Sequence, residues 1–489
     1  MKRIDLATDD EAPSAGDAVS IRASATSLAD FTVAELRNGF RRCVFTPSEV
    51  LEAVFKRIQG DDADNAYHAV TADRARKEAA ASDARWRGGA PAGPLDGVAV
   101  SIKENLHRKG ISVPGGRAMT SPPVAEVNCP IVDRLEESGA LIVGSTVMPD
   151  MGMISSGVSS RHGITPNAWN RSWTAGGSSA GAGVAAAAGH GPVHLGSDIG
   201  GSVRLPATWS GLASLKPSHG LVPLDAPYQG RAAGPLARWV DDLYAAMAVI
   251  ARFDSRDTCA QPYPPIDWTP RILDPAGLVI GLQLDGGPGL PVDPEVRAAV
   301  SAAATVFADA GAHIVEAPAI ATEELITRID RFWRARAWGQ YRRLSNAEQR
   351  EEVLPYIARW ASGAATVDAA TAVGDYEAFL DLGARARALT QECDLVLSPV
   401  TPVLAFPAEW PMPTNDPDAP MSHISFTVPF NMSGQPSGTV NAGRSTDGRW
   451  IGLQVTGQIG QDAQVLGAMR WWETVRSSEA TPSWEQISR

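Results

Sequence analysis

The chain has 489 residues, of which 44% are hydrophobic and 20% are charged. This balance is typical of a folded globular protein and excludes disorder over the whole length. The 55 acidic residues outnumber the 43 basic ones, and the resulting net charge of −12 repels a phosphate backbone, so nucleic acid is a poor candidate partner.

The first hundred residues predict a loose arm, then helices, then a strand. Residues 1–26 are polar and predict a flexible N-terminal arm, whereas residues 27–90 show helical spacing. Within that stretch, Thr46-Pro47-Ser48-Glu49 is typical of a helix N-terminal cap. A short buried strand, Val98 to Ile102, then leads directly into Lys103.

Beyond residue 130, short apolar strands alternate with helices, which is the rhythm of an α/β sheet. The pattern predicts strands at residues 141–143, 278–282, 313–315, 394–397 and 452–455, and helices beginning near residues 131, 293 and 462. Residues 323–389 predict a helical region rich in aromatic side chains, and residues 405–420 a proline-rich loop.

Neither a disulfide scaffold nor a metal site nor a membrane anchor is predicted. The four cysteines lie far apart in the sequence, without the paired spacing of metal ligands. No apolar run approaches the ~18 residues of a membrane span, and the N-terminal segment lacks the apolar stretch of a signal peptide. We therefore expect a cytoplasmic protein with no membrane partner and no structural zinc site.

Lysine is rare in this chain, since only six of the 43 basic residues are lysines. Arginine cannot lose its proton in a protein, whereas a desolvated lysine can. Lys103, at the end of a predicted buried strand, is therefore a candidate for acid/base chemistry.

The block from Gly176 to Gly183 permits three interpretations. Gly177-x-Ser179-x-Gly181 fits the nucleophile elbow of α/β-hydrolases, which would make the protein an esterase with Ser179 as nucleophile. Gly181-x-Gly183-x-x-Ala186 fits a relaxed dinucleotide-binding fingerprint. Both patterns require a strand immediately before the block, and the preceding residues 167–174 are polar and irregular.

The third interpretation combines this block with residues 101–105 and 196–204. Ser178 and Ser202 each follow a Gly-Gly pair, which permits backbone conformations that a Cβ atom would prevent. Consecutive backbone amides at Ile199, Gly200, Gly201 and Ser202 could bind an oxyanion, as acyl transfer requires. Serine, lysine and a backbone anion pocket together indicate a hydrolase.

These segments resemble the amidase signature family. The residues that carry the resemblance are 95–105, 176–189, 198–204 and 215–220, and weaker likeness extends over roughly residues 30 to 475. The resemblance implies one large α/β domain, residues 27–489, with a central mixed β-sheet flanked by helices. Its parts would be N-terminal helices, a catalytic core, a variable helical region and a C-terminal part of the sheet (27–90, 91–275, 276–390 and 391–475).

The resemblance also implies a Ser-Ser-Lys triad that acts without a metal or an organic cofactor. Ser202 would be the nucleophile, Ser178 the bridging serine after a cis peptide bond, and Lys103 the base. Ser179 is expected to support the triad through hydrogen bonds. Asp198 and Arg204 are expected to hold the anion-binding loop as an ion pair or cap, with contact to the substrate as the alternative. Lys216 is expected to be structural, and the four histidines near the glycines to have core or surface roles (His162, His190, His194 and His219).

The same resemblance predicts a small-molecule substrate and leaves its class open. The tryptophan-rich flank favours a small apolar or aryl amide, with carbamates and esters open to the same attack, and the expected lining comprises Met153, Ile154, Ser155, Trp333 and Trp338. One alternative is the glutamine-hydrolysing subunit of a transfer-RNA amidotransferase, although the Phe usual before the Gly/Ser block is absent from residues 149–156. Another is a binding protein with an inactive site. We expect a monomer or a homodimer.

Overall fold

The computed structural model describes residues 27–60, 64–344, 347–419 and 421–487, so the predicted N-terminal arm lies outside the described residues. The α-helices of the described part are α1 (Val33–Arg41), α2 (Pro47–Gly60), α3 (Ala72–Arg87), α4 (Pro130–Glu137), α5 (Ala180–Ala188), α6 (Arg204–Ser210), α7 (Val240–Ile250), α8 (Pro294–Asp309), α9 (Glu323–Tyr341), α10 (Ala347–Glu351), α11 (Pro355–Ser362), α12 (Ala369–Thr390), α13 (Val428–Met432) and α14 (Asp462–Val475).

The strands follow the same chain order. They are β1 (Tyr67–Val70), β2 (Ala99–Lys103), β3 (Leu141–Thr146), β4 (Val158–Ser159), β5 (Gly163–Ile164), β6 (Val193–Asp198), β7 (Ala213–Lys216), β8 (Ala232–Ala237), β9 (Val279–Leu282), β10 (His313–Glu316), β11 (Leu395–Pro399), β12 (Ser437–Arg444) and β13 (Trp450–Thr456).

Eleven of these strands form one mixed sheet, and β4 and β5 form a separate antiparallel pair. The order in the large sheet is β1-β3-β2-β6-β8-β7-β12-β13-β11-β9-β10. Strand β2 is parallel to both of its neighbours, β3 and β6, so the carboxyl ends of all three lie at the same edge. The predicted single α/β domain with a central mixed sheet is confirmed.

Both faces of the sheet are covered by helices, as the alternation along β8 shows. Leu236 packs against apolar residues of α5 and α6. Ala233 and Ala237, which point to the opposite face of the strand, belong to the large core that includes α7 and α14. Helices α9, α11 and α12 build a second apolar cluster around Trp333 and Phe379.

Most predicted elements occur where the pattern placed them. The strands at 141–143, 278–282, 313–315, 394–397 and 452–455 correspond to β3, β9, β10, β11 and β13, and the proline-rich loop contains no helix or strand in its described part. The N-terminal cap of α2 is confirmed, because Thr46 and Glu49 exchange hydrogen bonds between side chain and backbone.

The prediction of helix throughout residues 27–90 was wrong in one place. Residues Tyr67–Val70 form β1, which pairs antiparallel with β3 at the edge of the sheet. An edge strand gains its stability from long-range pairing, which a local helical spacing does not reveal. No helix in the described part of the chain combines the length and the hydropathy needed to span a bilayer.

Candidate active site

Lys103 is the last residue of β2, and its side chain is completely buried. Its amine nitrogen lies 2.7 Å from the hydroxyl oxygen of Ser178, and 3.2 Å from the hydroxyl oxygens of both Ser179 and Ser197. The strand end therefore carries a lysine whose amine, among the described residues, forms hydrogen bonds only with serine hydroxyls.

This environment disfavours the charged form of the lysine. The pKa of Lys103 is lowered from 10.5 to about 7, mainly by burial and also by the nearby charge of Arg231, with Asp198 and Glu104 acting in the opposite direction. No carboxylate of the described residues lies within ion-pairing distance of the amine. A neutral amine beside a hydroxyl can accept a proton near pH 7.

Ser178 lies in the turn that leads into α5, and the peptide bond between Gly177 and Ser178 is cis. Glycine is required before it, because a Cβ atom on Gly177 would lie 2.5 Å from the carbonyl oxygen of Ser156. Ser179 is buried, and its hydroxyl donates a 3.3 Å hydrogen bond to the carbonyl oxygen of Ser197. Ser179 thus joins the turn to β6 as well as contacting Lys103.

The two other interpretations of the glycine-rich block lack the strand that they need. The residues before the block form only isolated β-bridges, at Pro166 and at Trp173 and Thr174. The helix that follows, α5, is buried along its whole length, so it presents no open N-terminal groove for a dinucleotide. Ser179 is buried, so it also lacks the exposure that the nucleophile of an α/β-hydrolase elbow requires.

Ser202 lies between β6 and α6 and is partly exposed. It lines the same cavity as Ser178, and its carbonyl oxygen accepts a 3.1 Å hydrogen bond from the amide of Ser179. Its hydroxyl has no hydrogen-bond partner among the described residues. The predicted relay requires a contact between Lys103 and Ser178 and another between Ser178 and Ser202, and of these only the first is a hydrogen bond here. Catalytic hydrogen bonds often shorten only when substrate binds.

The predicted oxyanion loop differs from expectation at one position. The amide of Gly201 donates a 2.8 Å hydrogen bond to the Asp198 carboxylate and is not available to a ligand. This occurs because Asp198 ends β6 underneath the loop and also accepts from the amide of Val203, at 3.1 Å. Within the described residues, the other three predicted amides have no acceptor: Ile199, Gly200 and Ser202.

Asp198 and Arg204 form a buried ion pair that holds this loop. Nη2 of Arg204 lies 2.9 Å from Oδ1 of Asp198. In addition, Asn431 donates a hydrogen bond to Asp198, and Gln454 accepts one from Arg204. Arg204 and Asn431 hold the pKa of the Asp198 carboxyl well below its usual range. Lys216 is buried nearby, and its amine donates to the carbonyl oxygen of Pro217 at 2.8 Å, outside the cavity lining.

The serines open into a cavity with two lobes. The lobe that contains Ser178, which we call the charged lobe, has a volume of about 200 Å³ and is lined by the polar side chains of Asn105, Ser197, Asp198, Arg231, Arg336 and Gln340. The second, which we call the apolar lobe, measures about 60 Å³ and is lined by Ile154, Trp333, Trp360, Met412, Met421 and Ile424 among others. The two lobes share Ser202, Gly152, Met153, Ile199 and Arg336.

Four of the five predicted lining residues reach this cavity: Met153, Ile154, Ser155 and Trp333. Trp338 does not line either lobe, and its ring packs against Tyr341 at a centroid distance of 5.9 Å. At about 100° per residue, Trp338 lies roughly 140° around α9 from Trp333, so one helix cannot point both rings into one cavity.

Sequence reasoning missed the two arginines of the charged lobe. Arg336 and Gln340 follow Trp333 at positions i+3 and i+7 of α9, a spacing that places all three on one face and could have identified them. Arg231, which precedes β8, carried no comparable signal. Neither arginine forms an ion pair with a carboxylate of the described residues.

The profile of the Amidase family matches residues 49–466. The A subunit of glutamyl-tRNA(Gln) amidotransferase from Anaeromyxobacter sp. (strain K) is 32% identical over 482 residues, covering 91% of this chain and 96% of that protein. The corresponding A subunit from Synechococcus sp. (strain CC9605) is 30% identical over 473 residues, with the same two coverages of 91% and 96%.

Among solved structures, a bacterial aryl acylamidase of the amidase signature family superimposes with a TM-score of 0.83. Its sequence is 24% identical, and the match covers 94% of this chain and 98% of the other. At that level of identity the likeness concerns the fold.

Proposed function

The chain belongs to the amidase signature family, and from this premise we propose that it hydrolyses a small amide through a serine acyl-enzyme. As a member it is an amidase-family hydrolase acting on carbon–nitrogen bonds. The observation that carries the proposal is that the buried Lys103 amine lies 2.7 Å from the hydroxyl of Ser178, which lines the same cavity as Ser202.

The proposed reaction begins with neutral Lys103. The amine takes the proton of the Ser178 hydroxyl while Ser178 takes that of Ser202, and the Ser202 oxygen forms a bond to the carbonyl carbon of the amide. The negative charge that develops on the carbonyl oxygen is stabilised by the unoccupied backbone amides of Ile199, Gly200 and Ser202.

Breakdown of the tetrahedral intermediate requires a proton on the leaving nitrogen. The proton held by Lys103 returns through Ser178 to that nitrogen, the carbon–nitrogen bond breaks, and an amine departs. A water molecule then attacks the ester formed on Ser202 by the same route, releasing the acid and restoring all three side chains.

The cavity supports a substrate with two chemically different ends. The aromatic and aliphatic lining of the apolar lobe fits an apolar or aryl group. Arg231 and Arg336 give the charged lobe two cationic side chains that have no carboxylate partner within the described part of the chain, and these suit a hydrogen-bond acceptor or a carboxylate on the other end. Carbamates and esters of this shape would undergo the same attack.

The proposal is tested by a hydrolysis panel of anilides, primary amides, carbamates and esters. We expect Ser202→Ala to lower turnover of every substrate by at least about 1,000-fold. Lys103→Ala should impair amides more than esters, because an alkoxide needs less protonation to leave than an amine. Ser362→Ala, at an exposed position of α11, is the matched control and should behave as wild type.

Covalent labelling provides a second readout for the nucleophile. A sulfonyl fluoride should modify Ser202 in the wild-type protein, and peptide mass spectrometry would locate the adduct. Labelling at Ser179 instead would favour the esterase alternative. A wild-type protein that neither reacts with the reagent nor turns over any substrate would favour a binding protein with an inactive site.

A second candidate function is that of the glutamine-hydrolysing subunit of a transfer-RNA amidotransferase. The identities of 30% and 32% to amidotransferase A subunits favour it. Glutamine, however, carries an α-ammonium group. Among the described residues, Asp198 supplies the only carboxylate that lines either lobe, and it is already bound to Arg204 and Asn431. Hydrolysis of an anilide by the purified chain alone would support amidase activity, whereas strict dependence on glutamine and partner subunits would establish the second function.

A further inference from the structure

A cluster of three ionisable side chains lies apart from the cavity. His68 belongs to β1, Glu104 follows Lys103 at the end of β2, and His162 lies in the turn between β4 and β5. One side-chain nitrogen or oxygen from each comes within 4.8 Å of the other two. None of the three lines either lobe of the cavity, and the proposed reaction does not use them.

The carboxylate of Glu104 is the centre of the cluster. Its side chain is fully buried, with Oε2 lying 3.3 Å from Nε2 of His162 and 3.9 Å from Nδ1 of His68. Its other oxygen, Oε1, is buried without a hydrogen-bond partner among the described residues. The neighbouring Lys103 does not compensate this carboxylate directly, since its amine contacts serine hydroxyls. A buried carboxylate oxygen of this kind is stabilised by a bound cation.

The hydrogen-bond partners of Nε2 determine which ring nitrogen of His68 carries the proton. Nε2 lies 3.1 Å from the carbonyl oxygen of Ser112 and 3.0 Å from its hydroxyl. A carbonyl oxygen only accepts hydrogen bonds, so the proton is on Nε2, and the neutral ring presents the lone pair of Nδ1 toward Glu104. An imidazole held by a backbone carbonyl, with its other nitrogen facing a carboxylate, is the arrangement that orients histidine ligands of metals.

We propose that His68, Glu104 and His162 bind a divalent transition-metal ion, with Zn²⁺ as the preferred test ion. Bonds of about 2.0–2.2 Å in a tetrahedral site separate the ligand atoms by about 3.3 Å. This equals the 3.3 Å between Glu104 and His162 and is shorter than the 3.9 Å between Glu104 and His68, so the His68 ring would move inward when the ion binds. Two imidazoles and one carboxylate favour Zn²⁺, Co²⁺ or Ni²⁺ over Mg²⁺ and Ca²⁺. The ion would join β1, the end of β2 and the β4–β5 turn beside the strand that carries Lys103.

Isothermal titration of the untagged, chelator-treated protein with Zn²⁺ tests the proposal. We expect one ion per chain with a Kd of about 1 μM or tighter, weakened at least about tenfold by His68→Ala, by His162→Ala and by Glu104→Gln. His107→Ala is the matched control, because His107 also pairs with a carboxylate, that of Asp225 at 3.0 Å, but the described residues supply no third ligand there. The Zn²⁺ affinity of this variant should equal that of the wild-type protein.

Two results would overturn the proposal. One is wild-type protein that binds no stoichiometric Zn²⁺ at micromolar concentration, which would indicate that the cluster holds only a proton between His162 and Glu104. The other is binding that the three substitutions leave unchanged. If the variants fail to fold, X-ray absorption of the Zn²⁺-loaded wild-type protein decides the question, since a first shell without two imidazoles would contradict the assignment.

Discussion

The amine nitrogen of Lys103 lies 2.7 Å from the hydroxyl oxygen of Ser178, with both side chains buried. Because burial lowers the pKa of Lys103 to about 7, the neutral, proton-accepting fraction of the amine increases as the pH rises through 7. We expect kcat/KM for an anilide to rise about tenfold per pH unit below this pKa and to level off above it. A pH–rate profile from about pH 5.5 to 9 measures this.

The control for that profile is Lys103→Arg, which keeps the positive charge but cannot lose its proton. We expect no turnover by this variant at any pH in the range. A wild-type profile that is flat across pH 7, or one that falls as the pH rises, would contradict the role of Lys103 as the base.

Arg231 provides a way to move the inflection of that profile. Its charge is the second cause, after burial, of the lowered pKa of Lys103. Removing the charge in Arg231→Gln relieves repulsion of the ammonium form, so the pKa rises and the inflection shifts to higher pH. Arg231→Lys retains the charge and should leave the inflection near its wild-type position. If both variants shift it equally, the effect is one of packing and the electrostatic explanation is wrong.

The site was most predictable from the sequence at positions where both the chemistry and the backbone conformation restrict the residue type. Gly177, Ser178 and Lys103 lie in segments whose residue types are fixed by close backbone approach and by burial. The structure places the Lys103 amine 2.7 Å from the Ser178 hydroxyl, two residues that the family resemblance assigns to one triad. The α/β fold was predictable for the same reason, since short apolar strands such as β2 and β3 are buried on both faces.

Long-range arrangements were harder to predict. β1 forms because β3 offers it an edge, and the amide of Gly201 is taken by Asp198 because β6 ends beneath the loop. Neither interaction produces a pattern among neighbouring residues in the sequence. Trp338 was predicted to line the cavity from aromatic content alone, whereas the helical angle from Trp333 would have selected Arg336 instead.

The buried pair of Asp198 and Arg204, which holds the loop that carries Ser202, should contribute strongly to the free energy of unfolding. Asp198→Asn removes the charge that compensates a fully buried guanidinium, and we expect the free energy of unfolding to fall by about 3–5 kcal/mol. Asp418→Asn is the matched control, because its pair with Arg359 is largely exposed and should contribute at most about 1 kcal/mol. Urea unfolding of the wild-type protein and the two variants measures these free energies. Equal losses in both variants would contradict the stabilising role of the buried pair.

Arg336 should determine whether the substrate may carry a negative charge. It lines both lobes, its guanidinium carbon lies 4.0 Å from the ring centroid of Tyr228, and it forms no ion pair with the described residues. A charge-assisted hydrogen bond to a substrate carboxylate is typically equivalent to about 10- to 100-fold in affinity. We therefore expect Arg336→Gln to raise KM by that factor for a carboxylate-bearing anilide and to change little for the neutral parent anilide. The exposed Arg342, at the C-terminal end of α9, provides the matched control in Arg342→Gln, which should alter neither value. Equal losses on the charged and neutral anilides would mean that Arg336 acts only by packing on Tyr228, and the charged end of the substrate would have to be sought elsewhere in the cavity.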